Sequence, residues 1–110
     1  MAPEMIDYKG YNTTLDIWAL GVVCVEMAEG FPKYWEMDGL EAMQYISRCG
    51  IPPLEGEWSE EFTHFMGQCL QKDPKKRSSA FELLEHSFIA SSCSEEEWRD
   101  FLFSLFLTHL

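Results

Sequence analysis

From Leu15 to Ala28 only Asp16 and Glu26 interrupt an apolar run, and the apolar positions occupy every face of a helical wheel. A helix that is hydrophobic all round is enclosed by protein. The run is shorter than the roughly 20 apolar residues a bilayer crossing needs. The pattern therefore predicts a buried helix over Thr13–Glu29, around which the rest of the chain is organised. Asn12, Thr13 and Thr14 offer N-cap oxygens, and Asp16 in the first turn suits the positive end of the helix dipole. Gly30 followed by Pro32 ends it.

On either side the periodicity is weaker but readable. Met1–Glu4 shows no pattern that forms structure, and Ile6–Tyr11 reads as a loop of turn residues. Phe31–Met37 is an aromatic loop. Asp38 caps a second helix, Gly39–Arg48, with Leu40, Met43 and Ile46 in one apolar stripe. Cys49–Pro53 ends it, and the prolines keep the segment to Trp58 extended. Ser59 caps a third helix to Gln71, where Phe62, Phe65, Met66, Cys69 and Leu70 recur at helical spacing. Lys72–Arg77 is a charged loop. Ser79 with Glu82 forms a capping box for a short helix through Leu83 and Leu84 to His86. Ser94 with Glu97 forms another, opening a last helix with Trp98, Phe101, Leu102, Leu105 and Phe106 on one face. No segment alternates as a strand does. The expected class is all-α, with long loops.

Composition narrows the function. The 110 residues suffice for one domain, and 46% hydrophobic content excludes disorder. A net charge of -11 argues against nucleic acid and against anionic membranes, and reads as a well-solvated surface. The dense basic patch, Lys72, Lys75, Lys76 and Arg77, is too small to reverse that. Cys24, Cys49, Cys69 and Cys93 lack metal-ligand spacing, so zinc is not expected and Cys24 reads as a small apolar filler. The absence of a signal-like or membrane-spanning stretch in the sequence makes a reducing, cytoplasmic setting the expectation.

Four stretches, in order and suitably spaced, resemble the protein kinase catalytic domain. Ala2-Pro3-Glu4 is similar to the A-P-E motif closing the activation segment. Asp16-Ile17-Trp18-Ala19-Leu20-Gly21 resembles the D-x-W-x-x-G start of the F helix. Cys69-Leu70 with Asp73-Pro74 and Arg77 resembles the C-L…D-P-x-x-R loop before the I helix. Leu83–Ile89 resembles L-L-x-H-P-F-I at the domain's end. Glu26–Gly30 and Trp58-Ser59 look most like the sterile-twenty, or germinal-centre, serine/threonine group, and Leu70, where tyrosine kinases usually carry Trp, favours the serine/threonine side. Ser78 and Ser87 stand where the family usually has Pro, and Pro32-Lys33-Tyr34 where it has Pro-Pro-Tyr. The resemblance divides the chain into residues 1–89, a partial kinase domain with the F, G, H and I helices of the C-lobe, and residues 90–110, an amphipathic helix.

The resemblance implies that Glu4 and Arg77 form a buried ion pair; without it they read as two unrelated surface charges. Asp16 would accept N–H bonds from the catalytic loop, or else is a first-turn dipole residue. Trp18 and Gly21 would pack, and Val23 and Met27 would anchor the hydrophobic column that reaches the adenine ring. His86 reads as a packed or capping residue; His64 and His109 have no partner identifiable from sequence.

The sequence holds no G-x-G phosphate loop, V-A-I-K lysine, H-R-D loop or D-F-G. All would precede Met1, and since the family commonly has Met before A-P-E, Met1 need not be a true start. No catalytic, cofactor or metal residues are therefore expected in this chain; Mg-ATP belongs to the complete parent, which phosphorylates protein Ser/Thr in intracellular signalling. The expected partners are the missing N-lobe and catalytic loop and the parent's protein substrates. Without them the chain is expected to be marginal or oligomeric, with one side of its central helix uncovered. Leu40, Met43, Phe101, Leu102, Leu105 and Phe106 form a candidate partner surface. The last helix is expected to pack back on the lobe; the alternatives are self-association and aggregation. The competing function is a non-catalytic, pseudokinase-like interaction module.

Overall fold

The computed structural model describes residues 1–7 and 12–109, and these contain seven helices and no strand. In chain order they are α1 (Pro3–Ile6), α2 (Thr14–Glu29), α3 (Gly39–Cys49), α4 (Glu60–Cys69), α5 (Ala80–Leu84), α6 (Ser87–Ala90) and α7 (Glu95–Thr108). Short-range chemistry sets the starts. Asn12 Oδ1 accepts the Thr14 N–H at 2.9 Å, Asp38 the Leu40 N–H at 2.9 Å, and Ser59 the Phe62 N–H at 3.1 Å. Both capping boxes form, at Ser79/Glu82 and Ser94/Glu97. Gly30 ends α2 in the left-handed region at φ 87°, with its N–H on Glu26 O, a conformation that costs glycine little.

The core lies between α2 and α4. Ile17, Cys24 and Val25 meet Phe65, Met66 and Cys69, with Leu83 closing from α5 and Phe62, Leu70 and Phe88 at the edge. Gly21 sits where the helices approach most tightly: a Cβ there would lie 2.8 Å from Cys69 Cβ and 2.8 Å from Leu70 Cδ2. Leu70 can turn away at its tip, but Cys69 Cβ is fixed to the α4 backbone. Gly21→Ala is therefore expected to separate the helices and cost about 1–3 kcal/mol, read as a lowered urea midpoint.

Four expectations are corrected. First, Met1–Glu4 does contribute structure, because Pro3 at the first helical position starts the short α1, which packs on α3. Of the expected Ile6–Tyr11 loop, Ile6 ends α1, Asp7 follows as a turn and accepts a bond from Ser47, and Tyr8–Tyr11 lie outside the described residues. Second, the helix expected to reach His86 stops at Leu84, and His86 instead caps α6 through its ring. Third, α2 is not enclosed on every face as its pattern alone predicts; an uncovered side is what the resemblance implies for these residues without the catalytic loop and N-lobe. It buries Ile17, Trp18, Gly21, Cys24 and Val25 but exposes Leu20 and Val23, and leaves Met27 72% accessible. Hydropathy reports what a helix is able to bury; whether the cover is at hand is a separate matter. Fourth, α7 does not pack back. All of its residues are exposed, including Trp98, Phe101, Leu102, Leu105 and Phe106. The protruding helix raises the radius of gyration to 16.0 Å, against about 13 Å for a compact chain of this length.

Candidate functional site

The site is a charge cluster at the foot of α2. Asp73 shapes its loop: its carbonyl accepts the Lys76 and Arg77 N–H groups and its Oδ1 the Lys75 N–H. This turn directs Arg77 inward. Its Nη1 donates to Glu4 Oε1 at 2.6 Å and to Thr14 O at 3.1 Å. Nη2 donates to Glu4 Oε2 at 3.0 Å and to Lys72 O at 3.5 Å, and Nε to Gln71 O at 3.0 Å. Every N–H of the fork thus has an acceptor, and two run in parallel to one carboxylate. Trp18 lies under the guanidinium, its ring centroid 5.1 Å from Cζ. Glu4 and Arg77 are 3% and 4% exposed. The hydrogen bonds from Arg77 hold the Glu4 carboxyl below its ordinary value of 4.5, against the opposing pull of burial.

Beside the pair, Ser78 is buried; its N–H donates to Gln68 O at 3.2 Å and its Oγ to Gln68 Oε1 at 2.8 Å. A proline there would lack that N–H.

Of the other sequence-derived residues, Trp18 and Gly21 are buried in the α2 packing face, whereas Asp16 and Val23 are exposed on the rim of a cavity of about 430 Å³ lined also by Met1, Met5 and Leu15. Met27 is exposed further along α2, away from the pair. On α3, Leu40 is exposed and Met43 half-buried. The Trp18 indole N–H has no acceptor among the described residues, although the side chain is only 1% exposed. Sequence reasoning missed one contact altogether: His64 Nδ1 lies 2.7 Å from His86 Nε2. Their separation of 22 residues carries no periodic signal.

The residues present do not form a phosphate cradle. The cavity that contains Lys72 and Lys75, about 520 Å³, is also lined by Glu4, Asp7 and Asp73, and the Lys72 ammonium is engaged by Arg48 O. Among the described residues no three His, Cys, Asp or Glu side chains gather as metal ligands. Burial pushes the Cys24 thiol up and the Cys69 thiol up to about 12, which keeps both protonated and poor as nucleophiles. No helix among the described residues is long and apolar enough to cross a membrane. What the cluster does chemically is hold α1, the start of α2 and the 70–79 loop together.

The protein kinase domain family model matches residues 1–89. The chain is 42% identical over 100 residues to serine/threonine-protein kinase pakA of Dictyostelium discoideum, covering 89% of this chain. It is 46% identical over 96 residues to serine/threonine-protein kinase pakG of the same organism, covering 86% of this chain. The chain spans 8% of the length of each of these relatives.

Proposed function

The chain belongs to the protein kinase family, and from that premise we propose that it serves as the lower C-lobe of a serine/threonine kinase. Its all-helical architecture is that of the helical C-lobe portion of the kinase fold. The complete enzyme would transfer the γ-phosphoryl group of Mg-ATP to serine or threonine of protein substrates in the cytoplasm. The names of the two relatives support the serine/threonine assignment, and Glu26–Gly30 with Trp58-Ser59 support the sterile-twenty group. The observation that carries the reading is the Glu4–Arg77 pair, which joins the A-P-E carboxylate to the loop before α5 across 73 residues.

On this reading the uncovered side of α2 is the seat of the catalytic loop and N-lobe. Asp16, exposed at its start, would orient that loop, and Val23 and Met27 would carry packing towards the nucleotide. The Trp18 N–H, which has no acceptor among the described residues, fits the same account, since a buried donor without one is costly and an added segment would supply it. A second reading, a non-catalytic interaction module, is favoured by the fully exposed apolar face of α7.

The test joins binding to gene structure. Titration of residues 1–110 with Mg-ATP in a calorimeter is expected to give no binding heat. The coding sequence upstream of Met1 is expected to carry a glycine loop, H-R-D and D-F-G in frame, and the extended product to phosphorylate serine or threonine. Measurable Mg-ATP affinity of residues 1–110 would overturn this account, and an in-frame stop just before Met1 would favour the interaction module.

A further inference from the structure

The loop between α2 and α3 holds a strained residue. Tyr34 has φ 61°, in the left-handed region that a bulky aromatic side chain rarely occupies. Three contacts fix it there. Its ring packs on Tyr45 with centroids 5.0 Å apart, its hydroxyl donates to Gly50 O at 3.3 Å, and its carbonyl accepts the Met37 N–H at 3.0 Å. Strain of this kind persists only where the surroundings over-determine it. The next residue, Trp35, is 60% exposed and meets the exposed Phe31 edge-on at 6.2 Å. The fixed turn thus displays a tryptophan that the core does not use.

The first turns of α3 extend this surface. Ala42, Met43, Ile46 and Ser47 are half-buried, and α1 packs on this helix. Leu40, Glu41 and Tyr45 are exposed, and Tyr45 joins them to the loop through its contact with Tyr34. Glu36, Asp38 and Glu41 are exposed too, and none has an ion-pair partner among the described residues. The cation in the loop, Lys33, is 3.4 Å from Glu29. Arg48 lies two turns beyond Glu41, at the far end of α3. Aromatic rings and carboxylates without a counter-charge therefore share one surface.

We propose that this surface docks an arginine-bearing segment of a partner protein. The chain already contains the same combination in satisfied form: Arg77 Cζ lies 5.1 Å from the Trp18 ring centroid while its fork holds both Glu4 oxygens. A guanidinium suits such a pairing because it is planar and weakly hydrated, so it stacks on an indole while its edge binds a carboxylate. An ammonium is a compact, strongly hydrated point charge and gains less from the ring. The sign of the rim excludes phosphates and acidic peptides. An apolar residue beside the arginine would rest on Leu40. A second copy of this chain is a poor source of the cation, since Arg77 is buried, Arg99 lies 2.9 Å from Glu95, and Arg48 belongs to α3 itself.

The test needs only residues 1–110, so its result is read apart from the Mg-ATP titration. The probes are the blocked peptide Ala-Arg-Arg-Leu-Ala and its counterparts with two lysines or two glutamates. In ¹⁵N-labelled chain the Trp35 indole signal, identified by its absence in Trp35→Ala, is expected to shift saturably with the arginine peptide. Half-saturation with the lysine peptide is expected at a concentration at least about twofold higher, and the glutamate peptide is expected to give no shift. Added salt should weaken the arginine peptide, because the carboxylates are exposed. Anisotropy of the fluorescently labelled arginine peptide is expected to show at least about twofold weaker binding to Trp35→Ala and to Glu36→Gln/Glu41→Gln. These side chains are exposed, so the urea midpoints of both variants should match wild type. No saturation up to about 10 mM arginine peptide, a concentration well above the roughly 1 mM of weak specific contacts, overturns the docking site. Equal shifts from the three peptides, or undiminished binding to both variants, do so as well.

Discussion

Arg77→Ala is expected to lower the unfolding free energy by about 3–5 kcal/mol, the cost of leaving one member of a buried pair alone. Against a typical total of about 5–15 kcal/mol, that is a loss of between roughly a fifth and all of the stability. The geometry further predicts an asymmetry. Removing Arg77 strands Glu4 and also takes the donor from Gln71 O, Thr14 O and Lys72 O, and it uncovers the Trp18 face. Glu4→Gln leaves the guanidinium with its three carbonyls and one amide oxygen, so its cost is expected to stay nearer the roughly 1.5–3 kcal/mol of a charged hydrogen bond. Arg77→Lys should resemble Arg77→Ala more than wild type, because a single ammonium does not span both carboxylate oxygens. Urea titrations of the three variants and the double mutant would read these costs. Equal costs for Glu4→Gln and Arg77→Ala would contradict the asymmetry.

Acid provides an independent check on the same pair. The Glu4 carboxyl titrates below its ordinary 4.5 in the folded chain. Its contribution is therefore present above that value and is lost as pH falls through the lowered one. The stability gap between wild type and Glu4→Gln is expected to be constant from neutral pH down to about 5 and to close below it. A gap that persists unchanged into strong acid would mean that Glu4 acts through packing alone.

Local and distant features were unequally legible in the sequence. Asp38, Ser59, Ser79 with Glu82 and Ser94 with Glu97 act over two or three residues, so their side chains alone identify the helix starts, and the structure follows. The Glu4–Arg77 pair spans 73 residues, and no spacing rule connects its members. It was legible only through motifs that carry the fold with them. The His64–His86 contact had neither periodicity nor motif behind it. The misreading of α7 and the half-covered state of α2 share one cause. The all-round hydrophobicity of α2 and the stripe of α7 both state a demand for cover, and a sequence pattern does not say which surface meets it. The missed α1 is a matter of scale: four residues begun by a proline leave too few positions for any period to show.

The α7 stripe leads to the second large effect. Trp98, Phe101, Leu102, Leu105 and Phe106 are exposed, and Phe103 and Leu107 widen the face. The first turn holds Glu95, Glu96 and Glu97, and the last turn holds no charge. A parallel pair of such helices would align the carboxylates of two copies. An antiparallel pair sets each acidic turn beside an uncharged one and opposes the helix dipoles, so we propose a second copy, antiparallel, as the occupant. Phe106 would then lie near the partner copy's acidic turn. Phe106→Glu is expected to remove about 1.5–3 kcal/mol at each of two symmetric contacts and to weaken the dimer at least about a hundredfold, since 1.4 kcal/mol is a factor of ten. Because the residue is exposed in the single chain, the substitution should leave monomer stability unchanged; the two readings separate on that point. Sedimentation equilibrium is expected to show concentration-dependent mass for residues 1–110 and a lower mass for Phe106→Glu and for a chain ending at Ala90. If mass stays monomeric throughout while the substitution lowers Tm, α7 docks on its own lobe in solution and the pairing is wrong.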